Sequence, residues 1–205
     1  MEAFRKLEAT AATIQIANID TDQIIPARFL KTPRSTDHGQ FLFHDMRRAK
    51  DGELNENFIL NQKDFKSAGI LVADNNFGCG SSRESAVYAL HDAGIKCIIA
   101  PSFGDIFYTN SLKNGLLPIK LDRPIVQAIW KALESANRSE IEVDLEGQTI
   151  HLPDGSTYDF EIDPFRKQCL LEGIDDIDLT LKYQECIEKH EISEETNYPW
   201  TRSIS

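Results

Sequence analysis

Two serines, an arginine and a glutamate, Ser81, Ser82, Arg83 and Glu84, stand immediately after the paired glycines Gly78 and Gly80. Glycines let a backbone turn sharply and approach a ligand closely. Hydroxyls at the start of a helix meet unpaired N–H groups and the positive end of the helix dipole, which favour an anion. A guanidinium beside them adds a fork suited to a carboxylate or phosphate. Ser81 with Glu84 three residues later is also the spacing of a capping box, in which the hydroxyl serves the helix alone. The P-loop lysine after the last glycine is missing, and so is the G-x-S-x-G elbow of hydrolases. Spacing by itself therefore reaches an anion site and stops there.

The elements that must carry this turn are legible on both sides. Residues 69–73 form an apolar run of buried-strand type, and Ala86, Val87, Leu90 and Ala93 recur at helical spacing after the turn. Gly94 ends that helix, and residues 95–100 form a second apolar strand. Pro101 and Ser102 open another helix, with Asp105 completing a second capping-box spacing and Gly115 closing it. Residues 116–121 read as a third strand, and Asp122 with Pro124 starts a helix to about residue 136, with Ile125, Ile129 and Leu133 on one face. This alternation predicts an α/β layer with parallel strands.

Upstream, residues 13–19 alternate as a first strand, and Asp20-Thr21-Asp22-Gln23 reads as a turn or helix cap. Residues 31–51 are polar with a local basic excess, Lys31, Arg34, Arg47, Arg48 and Lys50. Such a segment is either a solvated loop or one that closes Arg34 over an acidic substrate. His38 and His44 have no partner at metal-ligand spacing and read as ordinary polar residues; residues 58–60 suggest a short extended piece. Downstream, residues 140–162 alternate as strands, with hairpin turns at Glu146-Gly147 and Asp154-Gly155. Asp163-Pro164 starts a helix to about residue 171, ended by Gly173, and a last helix spans about 176–189. One domain over 1–190 and a polar tail over 191–205 are expected, the tail fraying unless Tyr198-Pro199-Trp200 docks on a partner.

The chain has 205 residues, 41% of them hydrophobic and 27% charged, which suits one domain with a substantial core. Acids outnumber bases 33 to 22, for a net charge of −11, so no nucleic acid or anionic membrane is expected as partner. No run is long enough to span a bilayer, and the N-terminus has no secretory apolar region. Cys79, Cys97, Cys169 and Cys186 stand far apart without a C-x-x-C pair, which argues against a zinc or self-contained iron–sulfur site and for reduced thiols in a cytoplasmic protein.

At 76–85 the sequence N-F-G-C-G-S-S-R-E-S resembles the swivelling domain of the aconitase superfamily, whose turn commonly reads N-F/Y-G-x-G-S-S-R-E-H-A. Three further blocks are similar to the bacterial-type small-subunit family of 3-isopropylmalate dehydratase. They are I-D-T-D-Q-I-I-P-A-R-F-L-K at 19–31, A-P-S-F-G-D-I-F-Y-T-N-S-L-K-N-G-L-L-P-I-K-L at 100–121, and D-P-F-R-K-Q-C-L-L-E-G-I-D-D-I-D-L-T-L at 163–181. The blocks stand in family order and, with the stretches between them, cover nearly the whole chain. The resemblance implies a three-layer β/β/α domain on its own chain, with a C-terminal hairpin region and helices. It also implies a large-subunit partner that holds a 4Fe-4S cluster, no cofactor or metal on this chain, and a small dicarboxylic acid as substrate. The joint reaction it implies moves water between 2-isopropylmalate and 3-isopropylmalate in leucine biosynthesis.

Residue by residue, the resemblance makes Ser81 the general base, with Ser82 and Arg83 holding a substrate carboxylate. Thr21 and Asp22 match a Thr-Asp pair that borders the site and orients its groups, and Arg34 falls near a carboxylate-binding arginine. Elimination from a malate needs a base for the carbon-bound proton and a Lewis acid for the leaving oxygen. A serine does this only where its alkoxide is stabilised by helix N–H groups and cations. One departure from the resembled motif stands out: this chain has Ser85 where that motif usually has histidine. It keeps open a related hydro-lyase acting on citraconate, 2,3-dimethylmalate or homocitrate, beside a non-catalytic assembly subunit. Asp92 and the Asp175-Asp176 pair read as solvated or capping charges.

Overall fold

Strands buried on both faces must be apolar throughout, and the runs at 70–73 and 97–100 satisfy that condition. In the computed structural model, which describes residues 1–49, 51–136, 139–181, 183–198 and 200, the elements follow in this order. They are β1 (Lys6–Ile14), α1 (Thr21–Ile24), α2 (His44–Arg47), β2 (Ile70–Ala73), α3 (Glu84–Asp92), β3 (Cys97–Ala100), α4 (Asp105–Lys113) and β4 (Leu117–Lys120). Then come α5 (Arg123–Ser135), β5 (Glu140–Asp144), β6 (Thr149–His151), β7 (Thr157–Asp159), α6 (Pro164–Glu172), α7 (Asp176–Leu181) and α8 (Gln184–Asn197).

The strands form one seven-stranded sheet in the order β4-β3-β2-β1-β5-β6-β7. Strand β1 joins its two halves. Ala11–Ile14 pair in parallel with β2, whereas Lys6–Thr10 pair antiparallel with β5. The alternation within β1 sends Ala12 and Ile14 to one core and Ala11 to the other. The first core lies under α3 and the segment 19–60, with Leu71, Ala73, Ile98, Val87 and Leu90. The second brings Ile70, Val72 and Ile99 together with Val126, Ile129 and Trp130 of α5 and with Ile141, Val143 and Ile150 of the antiparallel half. The sheet therefore curls until both halves share a core, and the expected β/β/α layering is reached within one continuous sheet. Each fully buried isoleucine or valine here contributes about 1.5–3 kcal/mol of hydrophobic stabilisation.

Several expected boundaries move. The first strand begins at Lys6 and ends at Ile14, because pairing with β5 recruits the half-polar stretch Lys6–Thr10; Ile16 lies beyond it and is exposed. Ile59–Asn61 form a short 3-10 turn instead of an extended piece. The hairpins and α6 stand where the turn residues put them, with the Asp163 carboxylate accepting the Arg166 amide and Gly173 closing the helix at φ +70°. In place of one last helix, α7 ends at Leu181 and α8 runs from Gln184 to Asn197, past the expected end near 189. Of the expected docking tripeptide, Pro199 lies outside the described residues. No helix among the described residues is long and apolar enough to cross a membrane.

Candidate active site

Three loops leave the C-terminal edge of the parallel half: 15–20 after β1, 74–83 after β2 and 101–104 after β3. Such an edge is where open α/β sheets gather their ligands. The middle loop is stitched to both neighbours. On one side the Gly78 amide donates to the Ile19 carbonyl at 2.7 Å and the Thr21 amide to the Cys79 carbonyl at 3.0 Å. On the other side the Phe77 amide donates to Ser102 O at 3.0 Å, the Gly104 amide to Phe77 O at 2.9 Å, and the Asn76 amide to Ser102 Oγ at 2.8 Å. Gly78 sits at φ +72°, and a Cβ built there would meet the Phe107 ring at 2.2 Å. Gly104 is equally constrained, since its Cβ would lie 2.6 Å from the Gly78 carbonyl oxygen.

This stitching decides what the hydroxyls do. Helix α3 starts at Glu84 with Arg83 as an extended N-cap that makes no side-chain cap bond. Neither expected serine capping box forms. Ser81 lies two residues before the N-cap, and its Oγ is instead 2.8 Å from Thr21 Oγ1. Ser102 gives its oxygen to Asn76, while the glycine Gly104 caps α4. The box that does form is at Asp20: its carboxylate accepts the Gln23 amide at 2.7 Å, and the Gln23 side chain accepts the Asp20 amide at 2.8 Å. That cap starts α1 and buries Thr21, which fixes the hydroxyl facing Ser81.

Arg83 is hydrogen-bonded through one Nη to Asp22. That bond holds the Asp22 carboxyl below its usual range, against a smaller opposing pull from desolvation. A guanidinium has five N–H donors, so most of those of Arg83 are left for another acceptor. Ser82 is exposed, and its carbonyl takes a long 3.4 Å bond from Asn110 Nδ2. Burial, followed by the charge of Asp20, pushes the Cys79 thiol up and so disfavours its thiolate. Gly78, Gly80, Ser81, Gly104, Asp105 and Ile106 help line a shallow open hollow of about 240 Å³. Larger hollows lie elsewhere, under α5 and beside Tyr108.

The structure thus brings together Thr21, Asp22, Ser81, Ser82 and Arg83. It does not bring Arg34 to them. The Arg34 guanidinium makes two bonds to Asp92, at 2.9 and 3.1 Å, and lies over the Tyr88 ring at 4.3 Å. Asp92 ends α3 while Arg83 begins it, a separation of about 13 Å along the helix. Asp92 is accordingly no solvated charge. It also accepts the His38 amide at 3.0 Å; burial pulls its carboxyl up, but the His38 amide and Arg34 outweigh that and leave it below the usual range. His38 is buried, with Nδ1 2.8 Å from Thr36 O, so the 31–43 segment is anchored on α3 and is no simple solvated loop. Gly39 permits the contact, since a Cβ there would lie 2.6 Å from the Ala93 nitrogen.

Ser102, Phe107 and Asn110 support the turn without any signal in sequence spacing, because each acts from another loop or helix. Ser85 Oγ is buried and has no hydrogen-bond partner among the described residues. A hydroxyl left so costs about 1–3 kcal/mol of desolvation.

A family model described as the aconitase C-terminal domain matches residues 1–124, and a second, described as LeuD_N, matches residues 127–164. The curled mixed sheet and its serine turn define an α/β domain of the aconitase swivelling type. The 3-isopropylmalate dehydratase small subunit of Rhodospirillum centenum is 49% identical over 200 residues, covering 98% of each chain. That of Paramagnetospirillum magneticum is 51% identical over 203 residues, 98% of this chain and 100% of its own. A crystal structure of 3-isopropylmalate dehydratase from Methanocaldococcus jannaschii matches with a TM-score of 0.62 at 28% identity, over 91% of this chain and 99% of that one. The chain belongs to the family of 3-isopropylmalate dehydratase small subunits.

Proposed function

We propose that the chain serves as the small subunit of 3-isopropylmalate dehydratase, a hydro-lyase that converts 2-isopropylmalate to 3-isopropylmalate by dehydration and rehydration in leucine biosynthesis. The observation that carries this reading is similarity near 50% identity along 98% of the chain to subunits of that name. A small subunit of a two-subunit enzyme implies a large-subunit partner. We assign the 4Fe-4S cluster to that partner. The described residues hold no group of three His, Cys, Asp or Glu side chains arranged for a metal, and Cys97 and Cys169 are buried, so this chain's donors do not fit the group. The free thiols support a cytoplasmic setting.

On this chain, Ser81 Oγ is assigned the proton on the carbon next to a substrate carboxylate. Its 2.8 Å contact with the Thr21 hydroxyl supports that role, since Thr21, fixed by burial, can donate to the Ser81 alkoxide, which takes the proton and becomes a hydroxyl. The unpaired N–H groups and positive dipole end of α3 stabilise the same charge. Arg83, oriented by Asp22, and Ser82 are assigned to the substrate carboxylate. Arg34 is assigned there only if its bonds to Asp92 are exchanged for substrate.

The test is Ser81→Ala in the assembled complex. Loss of a positioned base lowers turnover by about 10²–10⁴-fold, with assembly intact; undiminished turnover would remove Ser81 from the reaction. A second reading is favoured by the orphaned Ser85 hydroxyl where the resembled motif usually has histidine. It keeps the same chemistry on citraconate, 2,3-dimethylmalate or homocitrate, and kcat/KM compared across the four acids decides between them.

A further inference from the structure

Helix α1 has four residues, too few to persist through its own hydrogen bonds. Backbone bonds run along it from the Ile24 amide to Asp20 O at 3.1 Å and from the Ile25 amide to Thr21 O at 3.0 Å. Its far end is held by the core, since Ile24 and Ile25 are fully buried and the Ile24 carbonyl accepts the Phe43 amide at 2.8 Å. Its near end, which carries Thr21, is held by Asp20. The Asp20 carboxylate and the Gln23 side chain close a reciprocal box, so that two amide donors at the start of the helix are satisfied.

Asp20 also meets the serine turn. It forms an isolated parallel bridge with Cys79, and a Cβ built on Gly80 would lie 3.4 Å from the Asp20 Cβ. It is therefore tied to the stretch just before Ser81 and to the residue whose hydroxyl lies 2.8 Å from Ser81 Oγ. The bonded Asp22–Arg83 pair, the Cys79 thiol and the Asp105 carboxylate stand around the same turn. A like charge disfavours ionisation of its neighbour, as the Asp20 charge does at Cys79. At Ser81 that charge would oppose an alkoxide, so what Asp20 can offer the base is its cap. We propose that Asp20 is a positioning residue for the reaction: by capping α1 it holds the Thr21 hydroxyl on Ser81 Oγ, where it donates to the alkoxide. The inference rests on the assignment of Ser81 as base and adds a residue which that assignment does not name.

The experiment uses the full-length chain assembled with the large subunit, with kcat and KM measured across pH and folding followed by circular dichroism. Asp20→Ala removes the cap and leaves Ser81, Ser82 and Arg83 in the chain. Its kcat should fall about 10–100-fold, with KM little changed. The rise of kcat with pH should move to higher pH, since an alkoxide that loses a donor forms less readily. Asp20→Asn keeps a capping acceptor without the charge and should restore both kcat and the pH profile. Thr21→Val should reproduce the losses of Asp20→Ala. The double variant should lose little beyond either single one, because both act through one hydrogen bond. Three results would overturn the proposal: an Asp20→Ala complex that melts earlier but keeps its pH profile, additive losses in the double variant, or an Asp20→Asn complex as slow as Asp20→Ala. Undiminished turnover in Ser81→Ala would instead overturn the assignment of the base, whatever the Asp20 variants do.

Discussion

The turn after β2 and the hairpin between β6 and β7 both pivot on a glycine with positive φ, Gly78 at +72° and Gly155 at +87°. In the hairpin, a Cβ on Gly155 would meet nothing within 4 Å; on Gly78 it would drive into the Phe107 ring. The hairpin closes locally, with the Asp154 carboxylate accepting the Ser156 amide at 2.8 Å. The serine turn is closed by its neighbours, through Ile19, Thr21, Ser102 and Phe107. A turn that only reverses the chain needs one residue of special geometry. One that holds a hydroxyl at a fixed point needs partners from several elements, because a single loop has too many conformations of similar energy.

The largest difference should appear on replacing the two glycines. Gly78→Ala combines left-handed strain with overpacking against the ring and should cost about 2–5 kcal/mol, whereas Gly155→Ala, strained but unobstructed, should cost about 1–2 kcal/mol. Urea midpoints at constant slope measure both, and equal losses would break the comparison. Next comes Ser102→Ala, which orphans the Asn76 amide and should lower stability by about 1–2 kcal/mol, with turnover of the complex falling as the turn loosens. Ser85→Ala runs the other way: removing a buried, unpartnered hydroxyl should leave stability unchanged or raise it by about 1 kcal/mol. A loss there would mean that Ser85 has a partner.

The smallest effect concerns acid. The Arg28 guanidinium, aided by His44, holds the Asp45 carboxyl down at about 2, against desolvation. Because the folded value is depressed, the stability it contributes is complete above about pH 4 and is lost as the pH falls through the folded value near 2. Asp22, lowered by Arg83, follows the same direction. Both carboxylates are more than half exposed, so solvent screens much of the gain. Melting of Asp45→Asn should differ slightly from that of the unaltered chain at pH 6 and converge with it near pH 2, and the difference for Asp22→Asn should likewise shrink as the pH falls. A difference that grows in acid would contradict the assigned shifts.

Periodicity exposed the parallel strands β2 and β3, helix α3 and the hairpins, because each depends on residues near in sequence: continuous apolar runs, 3.6-residue spacing, Asp-Gly turns. It also located the serine turn, since two glycines between a strand and a helix have few other uses. The start of β1 was hidden, because Lys6–Thr10 become a strand only by pairing with β5, 130 or more residues away. The two serine capping boxes were misleading for a related reason. A local hydrogen bond is worth about 1 kcal/mol, little enough for a better-placed partner from another loop to win.

Sequence alone therefore determined which residue types stand at the turn and which segments build the sheet beneath it, because backbone preference and hydrophobic period act over a few neighbours. Only the tertiary structure decided that Ser81 faces Thr21, that Asp22 holds Arg83, and that Arg34 rests on Asp92 at the other end of α3. Those pairings join residues about 60 positions apart, and folding the intervening chain is what brings them within hydrogen-bonding distance.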